Sequence, residues 1–289
     1  MRRPLRPGVS DSFPYPTRMS GGDLPVAYFD VGSGPALLLI HGLGSNFTHF
    51  QLVAPGLARH YRVVGVDLPG CGDSAKPRMR YTIDGYIDAC VRLLDELQIP
   101  QATWVGHSLG GMVSAGAALR WPQRVERLVL IAGAGFTRYP LMARLGSHVV
   151  PSPLILMFMK RFARKLLYSC FHEVNHHAKW FIGQAEGRPE SPTLDEFARV
   201  TASLLPDVAR RHYLDEVEKI LQPTLVMWGE QDRLLPFAPV KEWAERLPNG
   251  RLSVFRNCGH LPIIERPDEV VEELHTFLNE GRMRTFAAG

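Results

Sequence analysis

The six residues Gly106-His107-Ser108-Leu109-Gly110-Gly111 lie between a predicted strand that begins at Ala102 and a predicted helix over 109–121. A serine with a glycine two residues to either side, placed between a strand and a helix, is typical of a sharp turn that exposes the hydroxyl. Side chains at 106 and 110 would collide in so tight a turn, which explains both glycines. The stretch therefore predicts a strand–turn–helix unit with Ser108 at its apex.

Outside this unit the chain alternates between short apolar runs and helical patterns. The other predicted strands are 36–40, 61–67, 125–135, 223–229 and 251–257. The other predicted helices are 82–97, 237–246 and 266–280. Because the strand runs are almost continuously apolar, we expect them to be buried on both faces of a parallel α/β sheet.

One segment, 136–221, contains no strand signal and has the composition of several short helices. A helical, apolar insertion between two core strands is a candidate cap over a functional site. We therefore predict an irregular N-terminal arm over 1–22, a core formed by 23–135 and 222–289, and a helical cap over 136–221.

Ser108 needs partners, because a serine hydroxyl is a weak nucleophile unless a base takes its proton and an acid orients that base. Asp232 follows the predicted strand 223–229, and His260 follows the predicted strand 251–257. All three residues thus fall at the carboxyl ends of parallel strands, which share one edge of a sheet. The order Ser, Asp, His along the chain is that of a hydrolase with a nucleophile elbow. Ser108, Asp232 and His260 are the predicted catalytic triad.

Other residues compete for the roles of acid and base. Glu230 lies two residues before Asp232, and Asp67 begins the loop "DLPGCGDS" after an earlier strand, where a turn-forming role is favoured. His107 is next to Ser108, but its side chain is expected to point away from that serine across the turn.

Acyl transfer to a serine also requires donors for the oxyanion of the intermediate. One is the backbone N–H of the residue after the nucleophile, here Leu109, and the other comes from the loop after an early strand. The loop "HGLG" at 41–44 has that position, and the N–H of Leu43 is the predicted second donor.

Taken together, the chain resembles the α/β-hydrolase superfamily, in its lid-bearing serine esterase and lipase-like branch, over roughly residues 25–280. The motifs that carry the resemblance are "HGLG" (41–44), "DLPGCGDS" (67–74), "GHSLGG" (106–111), "WGEQDRLLP" (228–236) and "CGHLPIIERP" (258–267). The resemblance implies a mostly parallel eight-stranded sheet flanked by helices, with a helical cap after the sixth strand. Haloalkane dehalogenases and epoxide hydrolases are similar elsewhere but use an aspartate nucleophile, so Ser108 favours acyl chemistry.

The composition places limits on partners and location. Hydrophobic residues make up 45% of the 289 and charged residues 21%, with a net charge of +4 and four widely separated cysteines. These values are typical of a globular protein from a reducing compartment, and we expect a cytoplasmic protein that binds no nucleic acid. No metal or cofactor is expected, and the oligomeric state is left open.

The cap sequence favours a hydrophobic substrate. Lys160, Arg161, Arg164 and Lys165 share one face of a predicted helix over 153–168, whose other side is apolar. A basic amphipathic helix of this kind either packs on the core with a solvated basic face or touches an anionic membrane surface.

Four functions follow from these features. The first is a serine hydrolase of carboxylic ester or related acyl bonds in a hydrophobic or lipid-like small molecule. The second is a C–C bond hydrolase of a ring-cleavage product, and the third is a ligand receptor on the hydrolase fold. The fourth is a zinc peptidase, since "HEVNHH" at 172–177 has the HExxH spacing, with Glu190 or Glu196 as a possible third ligand. Two histidines with that spacing bind one zinc ion only when they lie on the same face of a regular helix. We favour the interpretation that His172, Glu173 and His176 are polar positions of a cap helix, with His177 beside them.

Overall fold

The structure, a computed structural model, describes residues 13–138, 165, 167–187 and 194–280. The strands are β1 (Arg18–Met19), β2 (Ala27–Val31), β3 (Ala36–Ile40), β4 (Arg62–Val66), β5 (Ala102–His107), β6 (Val125–Ile131), β7 (Thr224–Gly229) and β8 (Gly250–Phe255). The α-helices of the described ranges are α1 (Ala54–Leu57), α2 (Ile83–Glu96), α3 (Leu109–Arg120), α4 (His176–Gly187), α5 (Leu194–Arg210), α6 (Val240–Ala244), α7 (Pro262–Glu265) and α8 (Pro267–Asn279).

The eight strands form one sheet in the order β1-β2-β4-β3-β5-β6-β7-β8. In this order all neighbours from β4 to β8 are parallel, whereas β2 pairs antiparallel with both β1 and β4. One hydrophobic cluster lies on each face of the sheet, so the central strands are buried on both sides. The mostly parallel eight-stranded α/β sheet with flanking helices is confirmed.

The two antiparallel strands lie at the start of the chain. Arg18 and Met19 pair with Tyr28 and Ala27, and Phe13 packs against the ring of Phe29 at 5.0 Å between centroids. The part of the predicted arm that is described, from residue 13 onward, is therefore attached to the sheet and includes a short strand. This short strand, β1, pairs with the outer edge of β2, whose backbone groups would otherwise be open to pairing with another chain.

The predicted cap is described only in part. Of its range, 139–164, 166 and 188–193 lie outside the described residues. The predicted basic helix over 153–168 falls in that part except for Lys165, Leu167 and Tyr168. The described part consists mainly of α4 and α5, and the domain boundaries stay a prediction. None of the helices in the described ranges has the length and hydropathy that a membrane crossing requires.

Helix α5 is fastened along the core by polar contacts. Side chains on α5 accept backbone N–H groups around the start of α2, and Arg211, just after α5, makes a two-pronged ion pair with Asp84 at 3.0 and 2.7 Å. The N–H acceptors are the Ser203 hydroxyl for Tyr81 at 2.8 Å and the Asp207 carboxylate for Ile83 at 2.8 Å. This side of the cap region is therefore held to the start of α2 by directional bonds in addition to apolar packing.

Candidate active site

The strand–turn–helix unit around Ser108 has the strained geometry that its glycines predict. Ser108 has φ of 53° and ψ of −115°, between the end of β5 and the start of α3. A Cβ on Gly106 would lie 2.1 Å from the carbonyl oxygen of Gly110, and one on Gly110 would lie 2.0 Å from that of Ile40. Both contacts are impossible for real side chains, so only glycine fits at either position. The strain at Ser108 is held by its neighbours and presents the hydroxyl at the carboxyl edge of the sheet.

Asp232 and His260 form a buried pair at the same edge. His260 Nδ1 and Asp232 Oδ2 are 2.7 Å apart, and the side chains are 3% and 0% exposed. The other oxygen of Asp232 accepts the N–H groups of Leu234 and Leu235 at 2.8 and 2.9 Å. Because Oδ1 is occupied by these N–H groups, Oδ2 is the oxygen that accepts Nδ1–H of His260. With the proton on Nδ1, Nε2 carries the lone pair that the predicted base requires.

The backbone of His260 is held from two directions. Its carbonyl oxygen lies 2.9 Å from Nε2 of His107, and its N–H donates to the carbonyl oxygen of Cys170 at 2.7 Å. Burial lowers the pKa of His107 to about 3, so this imidazole is neutral and donates from Nε2. This bond connects the serine turn to the loop that carries His260, and the orientation of His107 away from Ser108 stays a prediction.

The loop after β3 lies against Ser108. A Cβ on Gly42 would be 3.1 Å from Cβ of Ser108, so the neighbouring residue, Leu43, is close to the serine. The N–H of Leu109 is the first of α3 and belongs to the group that has no acceptor within the helix. The arrangement is compatible with two oxyanion donors, and the roles of Leu43 and Leu109 stay predictions.

Two buried side chains fix this loop. His41 Nδ1–H donates to the carbonyl oxygen of Gly42 at 2.7 Å, and Nε2 accepts the N–H of Leu68 at 3.0 Å. Burial lowers the pKa of His41 to about 4, which keeps this donor–acceptor tautomer. Asp67 accepts the N–H of Phe47 at 2.7 Å, and burial raises its pKa to about 7. The loop-forming role expected for Asp67 therefore includes support of the loop that carries Leu43.

The surroundings of the site are apolar. Leu43 and Leu234, at the carboxyl edge of the sheet, are each 42% exposed. Phe197 of α5 lies over the same loop, because a Cβ on Gly44 would be 2.7 Å from its ring. We expect these side chains to form a hydrophobic surface near the predicted site.

The structure does not place "HEVNH" on one helix. Helix α4 begins at His176, so His172 and Glu173 precede it and the two histidines do not share a helix face. The zinc-peptidase hypothesis, which requires a regular helix, is therefore wrong, and so is the placement of His172 and Glu173 on a cap helix. Within the described ranges, no three His, Cys, Asp or Glu side chains converge as a metal site would require.

Sequence reasoning missed one buried charged residue near the site, Glu265. Its side chain accepts the backbone N–H groups of Gly259, His172 and Glu173. Burial raises the pKa of this carboxyl, and the three N–H donors oppose that shift. No signal for this role is visible in the sequence, because Glu265 is followed directly by Arg266 and has the pattern of an ordinary surface charge.

Of the predicted site residues, His260 and Asp232 are in direct contact, and Ser108 lies beside the loop of Leu43. The rival acid Glu230 is exposed and accepts from Gln231 at 2.9 Å, away from His260. The catalytic roles of Ser108, Asp232 and His260 stay predictions.

The chain belongs to the α/β-hydrolase fold family, whose model matches residues 35–267. It is similar to 2-hydroxymuconate semialdehyde hydrolase of Pseudomonas sp. (strain CF600), with 31% identity over 87% of this chain and 89% of that protein. It is also similar to pimeloyl-[acyl-carrier protein] methyl ester esterase of Aliivibrio fischeri (strain ATCC 700601 / ES114), with 31% identity over 89% of this chain and 98% of that protein. Among solved structures, a bacterial membrane phospholipase A described as a virulence factor aligns with a TM-score of 0.71 and 28% identity, over 93% of this chain and 87% of that one.

Proposed function

We propose that this hydrolase cleaves carboxylic ester or related acyl bonds of a hydrophobic or lipid-like small molecule through an acyl-enzyme. Ser108 Oγ attacks the acyl carbon while His260 Nε2 takes the hydroxyl proton. Asp232 orients His260, and the N–H groups of Leu43 and Leu109 stabilise the oxyanion. The leaving alcohol receives the proton from His260, and water then attacks the acyl-enzyme with His260 again as base.

The buried Asp232–His260 pair at 2.7 Å carries this proposal. An imidazole oriented by a carboxylate is what a serine nucleophile requires, and the strained turn of Ser108 supports a hydroxyl at the same edge. The apolar residues Leu43, Leu234 and Phe197 support a hydrophobic acyl or alcohol group. The two relatives and the phospholipase structure named above include an esterase and a lipid hydrolase, which supports the same class.

The direct test is turnover of p-nitrophenyl esters of increasing chain length by the wild type and by Ser108→Ala. We expect the variant to lose turnover, since the nucleophile is gone, and longer chains to lower KM in the wild type. Ser114→Ala is the matched control, because Ser114 is a fully buried serine of the same helix. Turnover by Ser108→Ala at the wild-type rate would exclude the mechanism.

A second candidate is hydrolysis of a C–C bond in a ring-cleavage product, with the same three residues. The similarity to 2-hydroxymuconate semialdehyde hydrolase supports it. A panel of vinylogous diketones beside the ester series decides between the two candidates through the ratio of kcat/KM values. A third possibility, a hydrolase-fold receptor, predicts about one turnover per molecule followed by arrest.

A further inference from the structure

Glu265 joins two parts of the chain that are far apart in sequence. Its side chain is 4% exposed and lies at the last position of α7, five residues after His260. Oε1 accepts the N–H of Gly259 at 2.7 Å, and Oε2 accepts those of His172 and Glu173 at 3.0 and 3.3 Å. One carboxylate therefore bridges the loop of the predicted base and the segment Cys170–Asn175 that leads into α4.

Two further contacts tie the same segments together. The N–H of His260 donates to the carbonyl oxygen of Cys170 at 2.7 Å. Asn175 Nδ2 donates to the carbonyl oxygen of Glu265 at 3.0 Å, while Asn175 Oδ1 accepts the N–H of Ala178 at 2.9 Å in the first turn of α4. We call this set of contacts the cap joint, formed by Cys170–Asn175 on one side and by Gly259, His260 and Glu265 on the other.

The cap joint has no free space between its two backbones. A Cβ on Gly259 would lie 2.4 Å from the carbonyl oxygen of Cys170 and 2.7 Å from the nitrogen of His172. Because the contact is backbone to backbone, neither segment can shift without moving the other. A shift in Cys170–Asn175 is therefore transmitted to the backbone N–H of His260, the residue that carries the imidazole.

We propose that Glu265 is a positioning residue that, through the cap joint, couples the segment leading into α4 to the placement of the base His260. The proposal rests on the role of His260 given above. Glu265 touches neither substrate nor the reacting atoms. Its effect is exerted through the N–H groups of Gly259, His172 and Glu173, which fix the loop on which His260 sits.

The substitution Glu265→Gln tests this with little change in shape. A carboxamide has one acceptor oxygen, so its NH2 must face either Gly259 N–H or the N–H groups of His172 and Glu173, and that side of the joint is released. A displacement of the base of about 1 Å lowers the rate by up to about 100-fold. We expect kcat to fall about 10–100-fold while KM changes less than threefold, since the substrate surface is elsewhere.

The reaction of Ser108 with a fluorophosphonate is the second readout. The serine oxygen displaces fluoride from phosphorus while His260 accepts the proton, so the labelling rate reports the placement of His260 for any natural substrate. We expect Glu265→Gln to slow labelling by the same factor as kcat and Glu265→Asp, which keeps two acceptor oxygens, to recover part of the rate. Glu269→Gln is the matched control, because Glu269 is exposed and lies in the first turn of α8; its labelling rate should equal that of the wild type.

Hydrogen exchange tests the coupling itself. In Glu265→Gln, the amides of the peptides that contain 170–175 and 256–261 should exchange faster together, by tenfold or more. If Glu265→Gln does not fold, Asn175→Ala takes its place, since it removes the contact of Asn175 with Glu265 from the other side, and labelling should slow at least threefold.

A folded Glu265→Gln that is labelled within twofold of the wild-type rate would overturn the proposal. So would a loss of labelling that matches only the unfolded fraction measured by circular dichroism. If the wild type is labelled rapidly but cleaves no ester, the proposed substrate class fails while the role of Glu265 is still tested.

Discussion

Asp232 accepts hydrogen bonds on both carboxylate oxygens. Oδ1 accepts two backbone N–H groups of its own loop, and Oδ2 contacts His260, which is the contact that the proposed mechanism uses. Asp232→Asn keeps the size of the side chain but places an NH2 beside either His260 or the N–H groups of Leu234 and Leu235. The imidazole is then held in the wrong tautomer or released. We expect kcat on p-nitrophenyl esters to fall about 10³–10⁴-fold.

Glu230→Gln is the control for that substitution, because Glu230 is the neighbouring acid in sequence and is exposed. Its kcat should stay within twofold of the wild type. If Glu230→Gln lost activity and Asp232→Asn kept it, the acid would have been assigned to the wrong residue.

At the residue scale, the sequence predicted those positions at which the backbone geometry permits only one residue type. Positions 106 and 110 must be glycine, because a Cβ there would lie only 2.1 and 2.0 Å from a backbone oxygen. Two glycines that flank Ser108 at this spacing are visible in the sequence. Glu265 could not be predicted, because its partners are backbone N–H groups from a distant segment. Backbone donors leave no sequence signal, so a buried acceptor for them looks like an ordinary surface charge.

At the element scale, the ion pair of Arg211 with Asp84 tests how α5 is held. The side chains are 27% and 46% exposed, so solvent weakens the pair. We expect a double-mutant cycle with Arg211→Ala and Asp84→Ala to give a coupling of about 0.5–1 kcal/mol in the free energy of unfolding by urea. Lys241 and Glu245, 72% and 65% exposed, form the control pair, with a coupling of about 0.3 kcal/mol or less. Equal couplings for the two pairs would mean that the Arg211 contact does not fasten α5.

The ends of the strands depend on backbone conformation more than on the apolar pattern of the sequence. The predicted strand over 125–135 ends at Ile131, because Ala132 has φ of +45° and cannot continue a strand. Strand β2 carries Asp30, which is paired with Arg62 at 2.8 Å and interrupts the apolar run that would have revealed it. Strand β1, with two residues, is too short for any periodicity.

At the scale of the whole molecule, buried histidines make stability depend on pH. His107 has its pKa lowered to about 3 by burial, whereas in the unfolded chain it titrates near 6.5. Between these values the unfolded state binds one more proton than the folded state, so stability falls as the pH is lowered from 6.5. The loss is about 1.4 kcal/mol per pH unit for each such group.

His107→Gln removes this contribution while keeping an N–H donor for the carbonyl oxygen of His260. We expect the difference in free energy of unfolding between the wild type and this variant to shrink by about 1.4 kcal/mol from pH 6 to pH 5. His176→Gln, at an exposed histidine, is the control for the loss of one imidazole, measured over the same range. A constant difference for His107→Gln would show that this imidazole takes up its proton over the same pH range in the folded protein as in the unfolded chain.

The arrangement of the whole molecule was largely predictable, because strand–helix alternation and the ends of parallel strands bring Ser108, Asp232 and His260 to one edge of the sheet. The cap was not predictable in the same way. Its helices pack on the core through scattered contacts such as Phe197 with Gly44 and Ser203 with Tyr81, which follow no short-range period.

The proposed mechanism passes through an acyl group bound covalently to Ser108, and mass spectrometry of the intact protein detects such a group. Wild-type protein and Ser108→Ala are mixed with a p-nitrophenyl ester and quenched in acid within the first turnover. We predict a mass increase equal to the acyl group on the wild type, located on the peptide that contains Ser108 and absent from Ser108→Ala. Full turnover with no covalent adduct at any quench time, or an adduct that persists in Ser108→Ala, would contradict the account.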